Sequence, residues 1–283
     1  MAVSRRKTVI EYSNTTCIVR RGNASDFIPA LRFRNPKARY DKSEPKHITL
    51  YNPATREFPS GLLDRVERRL KRRRLPFKVI RADHDPFPLQ YLHPKILDNG
   101  HTLRSHQTES ITRALLHERG LLDVATNGGK TDIFAGIAKL GWEVCKYRSL
   151  MLVPSTTLLH STAADMRDAL GFKVGQIGDG LRTAGVLTVA TDRTLVKGSP
   201  QWASAKGCEP DAGLRKRLQS VQILLVDETH HAGSATWQMI LSAAINARYR
   251  IGATGSSKTG DSLRDIAMRA YLGPRLIKVS NDY

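Results

Sequence analysis

The stretch L-L-D-V-A-T-N-G-G-K-T over residues 121–131 restricts the possible folds of this chain more than any other. An apolar run of strand length enters a turn with two adjacent glycines, and a helical pattern follows. Gly128 and Gly129 let a backbone approach a ligand closely. In a phosphate-binding loop, backbone N–H groups wrap the phosphates, a Lys meets the terminal ones and a hydroxyl holds Mg²⁺. Lys130 and Thr131 supply that cation and that hydroxyl. The strict pattern asks for Gly where this chain has Val124, so a plain strand–turn–helix stays open at this point.

Around this loop, from about residue 102 onward, apolar runs alternate with helical stretches. Strands are expected at 121–125, Ser149–Val153, 186–190, Ile223–Val226 and 250–253. Helices are expected near 105–118, 130–140, 156–170 and 236–246. Such alternation predicts an α/β fold: a parallel sheet with helices on both faces, binding its ligand at the C-terminal ends of the strands.

The strand at Ile223–Val226 ends in Asp227-Glu228-Thr229-His230-His231. Acids directly after a buried strand are costly unless they face a site, the alternative being a strand end that reaches solvent. With a phosphate loop in the same sheet, Asp227 is expected to hold Mg²⁺ and Glu228 to orient or deprotonate an attacking water. No third ligand is spaced to make His230 and His231 a metal site, so a coupling role beside the acids is expected.

The front of the chain has another character. Of the net charge of +19, residues 1–100 hold 22 Lys+Arg against 10 Asp+Glu. A surplus of that size points to a polyanion, most simply nucleic acid. Residues 1–90 resemble a small basic α+β module, with strands at Thr8–Tyr12, 16–20, 48–51 and Phe77–Ile80. A helix over 61–73 places Leu63, Val66 and Leu70 on one stripe and Arg65, Arg68, Arg69, Arg72 and Arg73 off it. The basic side is either a solvated face or a surface that tracks phosphates, and the scarcity of acids favours the second. The Pro-rich stretch 83–94 and residues 91–101 are expected to link this module to a domain at 102–283. Three scattered cysteines suit a reducing compartment. No run approaches a membrane span, so a cytoplasmic protein is expected, in a nucleoid or a host-cell cytoplasm.

Taken together, these motifs resemble superfamily 2 helicases. Asp227-Glu228-Thr229-His230 looks like their DExH box, and residues 125–131 look like their first motif, with Thr126, Asn127 and Gly128 where the family usually has T-G-S. L-R-S-H-Q over 103–107 resembles the upstream element whose Gln reads adenine. The resemblance therefore implies ATP and Mg²⁺ as cofactors. Arg104, Gln107, Thr126, Asn127, Gly128, Gly129, Lys130 and Thr131 would then bind nucleotide, with Thr131 and Asp227 on the metal. L-V-P-S-T-T-L over 152–158 and V-A-T-D-R-T-L over 189–195 resemble two motifs that grip one nucleic-acid strand, implying that role for Ser155, Thr156 and Thr191. Gly252-Ala253-Thr254-Gly255-Ser256 is similar to the element coupling nucleotide state to grip. Thr254, Gly255 and Ser256 would couple the two, although Gly255-Ser256 departs from the usual Ala-Thr.

The details look most like the branch of XPB-type repair helicases, UvsW and type III restriction subunits. That branch implies an ATP-dependent DNA helicase or translocase acting on branched or duplex DNA in recombination, repair or restriction, with RNA as the other partner left open. It also implies a second RecA-like lobe, in the same or another chain, that supplies an Arg to the ATP site. No such motif follows by Tyr283, so the chain is expected to be a fragment. By itself it should bind DNA without ATP dependence and hydrolyse ATP negligibly. The rival expectation is a nucleic-acid-binding module that binds ATP as a switch without turnover.

Overall fold

The computed structural model describes residues 7–125, 127–255 and 263–280. The front contributes β1 (Thr8–Tyr12), β2 (Thr16–Arg21), the short α1 (Ala24–Phe27), β3 (Arg32–Arg34), β4 (His47–Thr49), β5 (Glu57–Pro59), α2 (Leu63–Arg72) and β6 (Phe77–Ile80). Four strands form a sheet in the order β5-β2-β1-β6, while β3 and β4 pair separately as a hairpin. On α2 the buried residues are Leu63, Val66 and Leu70, so the apolar spacing selects the inward face. The helix begins at Leu63 rather than 61 because Ser60–Leu62 first wind into a 3₁₀ turn.

This front module does not fold over its own core alone. Ile10, Val19, Phe27, Phe58 and Leu62 pack with Ile266 and Ala270, which belong to the helix Leu263–Leu272 of the following domain. The guanidinium of Arg119 donates to Ser60 Oγ (2.8 Å) and to the carbonyl of Asn14 (2.7 Å), tying the two parts together. Gly61 sits at the seam: a Cβ there would lie 2.3 Å from the backbone oxygen of Arg269. Backbone cannot swing aside as a side chain can. Gly61→Ala is therefore expected to destabilise the chain by about 1–3 kcal/mol, seen as a lower urea midpoint. An unchanged midpoint would show that the seam relaxes freely.

The second part is an eight-stranded sheet in the order β10-β9-β11-β8-β12-β13-β7-β14. Its strands are β7 (Arg119–Val124), β8 (Ser149–Val153), β9 (Val174–Gly178), β10 (Leu181–Arg182), β11 (Leu187–Thr191), β12 (Ile223–Val226), β13 (Tyr249–Thr254) and β14 (Arg275–Val279). All pairings are parallel except β9 with β10, a short ribbon at one edge. Alternate strand residues go to opposite faces. Ile223 and Leu225 join α3 (Ser105–His117), α4 (Lys130–Cys145) and α5 (Thr156–Leu170) in one core. Leu224 and Val226 join the other core, with α6 (Asp192–Leu195), α8 (Ala212–Gln219), α9 (Ala235–Ala243) and α10 (Leu263–Leu272), next to the small α7 (Pro200–Lys206). Burial on both faces is why these strands are continuous apolar runs rather than alternating ones.

The remaining differences from expectation have local causes. α4 runs beyond the expected 140 to Cys145, and Gly141 within it faces Ile223 Cδ1, which lies 2.2 Å from where a Cβ would be. The helix stops instead where Lys146 turns left-handed, at φ 56°. α1, β3, β5, β9, β10, β14, α6, α7, α8 and α10 have no counterpart in the sequence expectations; β14 and β10 are edge strands with partly exposed residues and thus a weak apolar signal. The stretch 91–101 buries Ile96 and Leu97 in the core of the sheet domain. No described helix is long and apolar enough to cross a membrane.

Candidate functional site

The motif residues gather because parallel strands deliver their ends to one edge. β11, β8, β12, β13 and β7 lie side by side, with Val226 level with Leu152 and Gly252, and Asp123 level with Thr254. The segments following these strands therefore leave the same C-terminal rim.

The Gly-rich loop is shaped by α3. Arg104 Nη2 donates to the carbonyl of Asn127 (3.2 Å), His106 Nε2 lies 3.0 Å from the carbonyl of Gly128, and Gln107 Nε2 donates to the carbonyl of Gly129 (3.3 Å). Three successive loop carbonyls thus meet three side chains of L-R-S-H-Q. Gln107 is 1% exposed. Its amide also accepts from the Arg104 N–H (2.7 Å) and donates to Asp132 Oδ2 (3.2 Å), so its hydrogen bonds run to the loop and the helix start. Asn127 and Gly129 both adopt positive φ, 70° and 75°. At Gly129 a Cβ would fall 1.9 Å from Gln107 Nε2, so glycine is demanded by both backbone and neighbour. His106 and Asp132 were not among the residues singled out from sequence, although each lies within or next to a recognised motif.

The acids stand opposite. Lys130, the first residue of α4, places Nζ 3.5 Å from Glu228 Oε1. Glu228 holds φ 49°, ψ 57°, an unfavourable conformation for a non-glycine residue, and its N–H donates to Asp227 Oδ1 (2.9 Å). The Asp227 N–H donates to the carbonyl of Leu152 on β8 (3.1 Å), which anchors the turn to the sheet. Thr229 is fully buried, and its Cγ2 occupies the space beside Gly252, 2.4 Å from where a Cβ would be. The DETHH turn and the G-A-T-G strand thus touch directly. Thr254 ends β13 at 5% exposure, followed by Gly255. Thr126, Ser256 and the side chain of His230 lie outside the described residues.

On the far side of the rim, Ser155 and Thr156 are exposed at the start of α5, and Ser155 Oγ accepts from the Leu158 N–H (3.2 Å) as its N-cap. Thr191 is only 4% exposed, and its Oγ1 would lie 2.6 Å from a Cβ at Gly178. The next residue, Asp192, accepts from Trp237 Nε1 (2.9 Å), while the Trp237 ring stacks on His231 with centroids 5.7 Å apart. This chain of contacts joins the DETHH turn to the V-A-T-D-R-T-L segment. Nothing in the local pattern around Trp237 signalled it.

On α2 the five arginines divide. Arg65 Nε donates to the carbonyl of Ala30 and its guanidinium covers the Phe33 ring at 4.6 Å. Arg69 Nε donates to the carbonyl of Asp26 (2.7 Å), and Arg68 pairs with Asp64 at 2.5 Å. Arg72 and Arg73 are exposed, as are Lys71 and Arg74 beside them.

The donor set fits a nucleotide and its metal. Lys130 and Thr131 open a long helix whose N-terminus favours anions. Among the described residues no group of three or more His, Cys, Asp or Glu is placed to hold a metal. The hydroxyl of Thr131 and the carboxylate of Asp227 are hard oxygen donors of the sparse kind that Mg²⁺ accepts when phosphate and water complete its shell.

A family described as "Type III restriction enzyme, res subunit" (ResIII) matches residues 100–258, more than half of the chain. The chain belongs to the ResIII family. Its likeness extends to "ATP-dependent DNA helicase uvsW" of Enterobacteria phage T4, 26% identical over 164 residues, which is 55% of this chain and 30% of that protein. It is likewise 26% identical over 184 residues to "DNA 3'-5' translocase XPB2" of Sulfurisphaera tokodaii, covering 65% of this chain and 36% of that one. The chain spans about a third of the length of these curated relatives. The crystal structure of the UvsW helicase from Bacteriophage T4 superposes with a TM-score of 0.74 at 18% identity, over 97% of this chain and 100% of that one. These relationships place the ResIII chain in superfamily 2, in the branch of XPB, UvsW and type III restriction subunits, and its sheet domain has the RecA-like fold.

Proposed function

We propose that the chain is the ATP-binding portion of a superfamily 2 DNA helicase or translocase: a basic DNA-contacting module, residues 1–90, fused to a first RecA-like lobe, residues 102–283. The observation that carries this reading is the approach of Lys130 Nζ to Glu228 Oε1, 3.5 Å, across the rim of the sheet. It puts a phosphate-binding cation beside a carboxylate suited to orienting water. Lys130 holds the terminal phosphates, Thr131 and Asp227 hold Mg²⁺, and Glu228 positions the attacking water and takes its proton. Mg²⁺, when bound, neutralises charge on the phosphate oxygens. Arg104 and Gln107 brace the nucleotide loop from behind rather than reading the base directly. Ser155, Thr156 and Thr191 belong to the strand-gripping segments, and Thr254, Gly255 and Ser256 to the coupling element. The names of the two relatives, a DNA helicase and a DNA translocase, support DNA over RNA, and the process served is recombination, repair or restriction. In protein that includes a second RecA-like lobe, DNA stimulation of phosphate release, lost in Lys130→Ala, tests the reading; turnover indifferent to nucleic acid would refute it.

The division among the α2 arginines sharpens a second test. The exposed pair Arg72 and Arg73 is expected to contact phosphate, whereas Arg65 and Arg69 support the module. Arg72→Ala with Arg73→Ala should weaken binding to unrelated DNA sequences equally. It should also reduce the slope of log K against log salt by roughly 1.8, about 0.9 for each lost contact. An unchanged slope would make this a solvated face.

A further inference from the structure

The β3–β4 hairpin offers a feature that neither the ATP site nor α2 explains. Its tip carries Tyr40, which at 87% is the most exposed large hydrophobic among the described residues. An aromatic ring held in water gives up the burial that normally stabilises it. The surroundings of the ring are built rather than loose.

At the root, Phe33 is buried in the module's core, while Arg32 and Arg34, its neighbours on β3, are exposed. Asn35, 2% exposed, closes the loop. Its Nδ2 donates to the carbonyl of Pro45 (2.9 Å) and to Glu44 Oε2 (3.1 Å), its Oδ1 accepts from the Lys37 N–H (3.1 Å), and its N–H donates to the carbonyl of Lys46 (3.0 Å). The backbone N–H groups of Tyr40 and Asp41 both donate to the carbonyl of Lys37, at 2.9 and 3.0 Å. Asp41 Oδ1 then accepts from the Ser43 N–H (2.9 Å) and Oγ (2.6 Å). Tyr40 therefore stands between two internally bonded turns, and little backbone conformational entropy remains to be lost when its ring meets a partner.

Charge supplies the class of partner. Residues 32–47 contain six Lys+Arg and two Asp+Glu. Both acids are engaged within the loop, Asp41 by Ser43 and Glu44 by Asn35. Arg34, Lys37, Lys42 and Lys46 have no ion-pair partner among the described residues and are exposed. An exposed ring on a braced backbone, in a loop whose Lys37 and Lys42 are exposed cations, matches a phosphate chain with an accessible base face. Duplex bases already stack on one another and offer no such face, whereas unpaired bases do.

We infer that the β3–β4 hairpin is a second nucleic-acid contact, in which Tyr40 stacks on an unpaired base while Lys37 and Lys42 hold the flanking phosphates. It rests on the reading of the chain as a DNA-binding protein and adds to it a contact selective for single-stranded DNA, as at a fork or branch.

The test uses residues 1–283 with fluorescently labelled 20-mer single-stranded DNA and a 20-bp duplex, by anisotropy. Tyr40→Ala is expected to weaken single-strand binding roughly tenfold, within the range stacking on one base supplies. Tyr40→Phe should restore it, and duplex affinity should change less than about twofold. Lys37→Ala with Lys42→Ala should weaken both ligands and flatten their salt dependence. Because Tyr40 is so exposed, the thermal midpoint of Tyr40→Ala should match the parent. Single-strand binding by Tyr40→Ala equal to the parent's, or an equal loss on single strand and duplex, would overturn the inference while leaving the DNA-binding reading intact. A parent that binds neither ligand would overturn that reading, and the inference with it.

Discussion

Glu228→Gln is expected to bind ATP and Mg²⁺ much as the parent does and to hydrolyse ATP about 10²–10⁴-fold more slowly, the usual worth of a positioned general base. The substitution keeps side-chain shape and removes only charge. The turn survives because it depends on backbone contacts: the Asp227 N–H bond to Leu152 and the Glu228 N–H bond to Asp227 Oδ1. Lys130, beside the carboxylate at 3.5 Å, stays available to phosphate. Lys130→Ala should behave differently, losing nucleotide affinity itself. The measurement is phosphate release from protein supplied with the second lobe, since in related NTPases the Arg such a partner contributes is worth on the order of 10³–10⁵ in rate. Equilibrium binding of a fluorescent ATP analogue to residues 1–283 would report affinity separately. A Glu228→Gln protein that turns over normally would move the general base elsewhere, and one that fails to bind nucleotide would make Glu228 a binding residue.

The largest loss of stability is expected from Arg250→Met. Arg250 is fully buried in β13 and donates to the carbonyls of Ala247 (3.0 Å), Leu241 (2.8 Å) and Ala244. Leu241 lies in the last turn of α9 and Ala244 is its C-cap, so the guanidinium satisfies helix-end carbonyls and opposes the dipole there. Burial pulls the pKa of Arg250 down to about 9, which still leaves the group charged at neutral pH. Methionine fills much of the volume and donates nothing. The unsatisfied buried carbonyls should then lower stability by about 3–5 kcal/mol. α9 also carries Trp237, between His231 and Asp192, so the loss should reach the nucleotide rim as well. Urea denaturation measures the first effect; a change below about 1 kcal/mol would mean that water or other donors replace the guanidinium.

What could be read in the sequence was whatever depends on neighbours along the chain. Ser149–Val153, Ile223–Val226 and Thr156–Leu170 have the bounds their patterns suggest, because an apolar run buried on two faces, or an apolar stripe at helical spacing, is set by local periodicity. The same holds for the site's chemistry: Lys130, Thr131, Asp227 and Glu228 each sit directly after a strand or a glycine turn, and parallel strands carry such positions to one rim. The tertiary structure alone decided which groups those residues meet. Arg65 and Arg69 look like free cations in sequence, yet each holds a carbonyl 35 and 43 residues away. Gln107 closes on a loop 22 residues downstream, and Trp237 reaches Asp192 across 45. Gly61 and Arg119 join the two parts of the chain through contacts that no spacing encodes. The physical reason is common to all of them. Periodicity determines which side of an element faces inward, but a hydrogen bond or a close backbone approach depends on the partner that packing brings within about 3 Å.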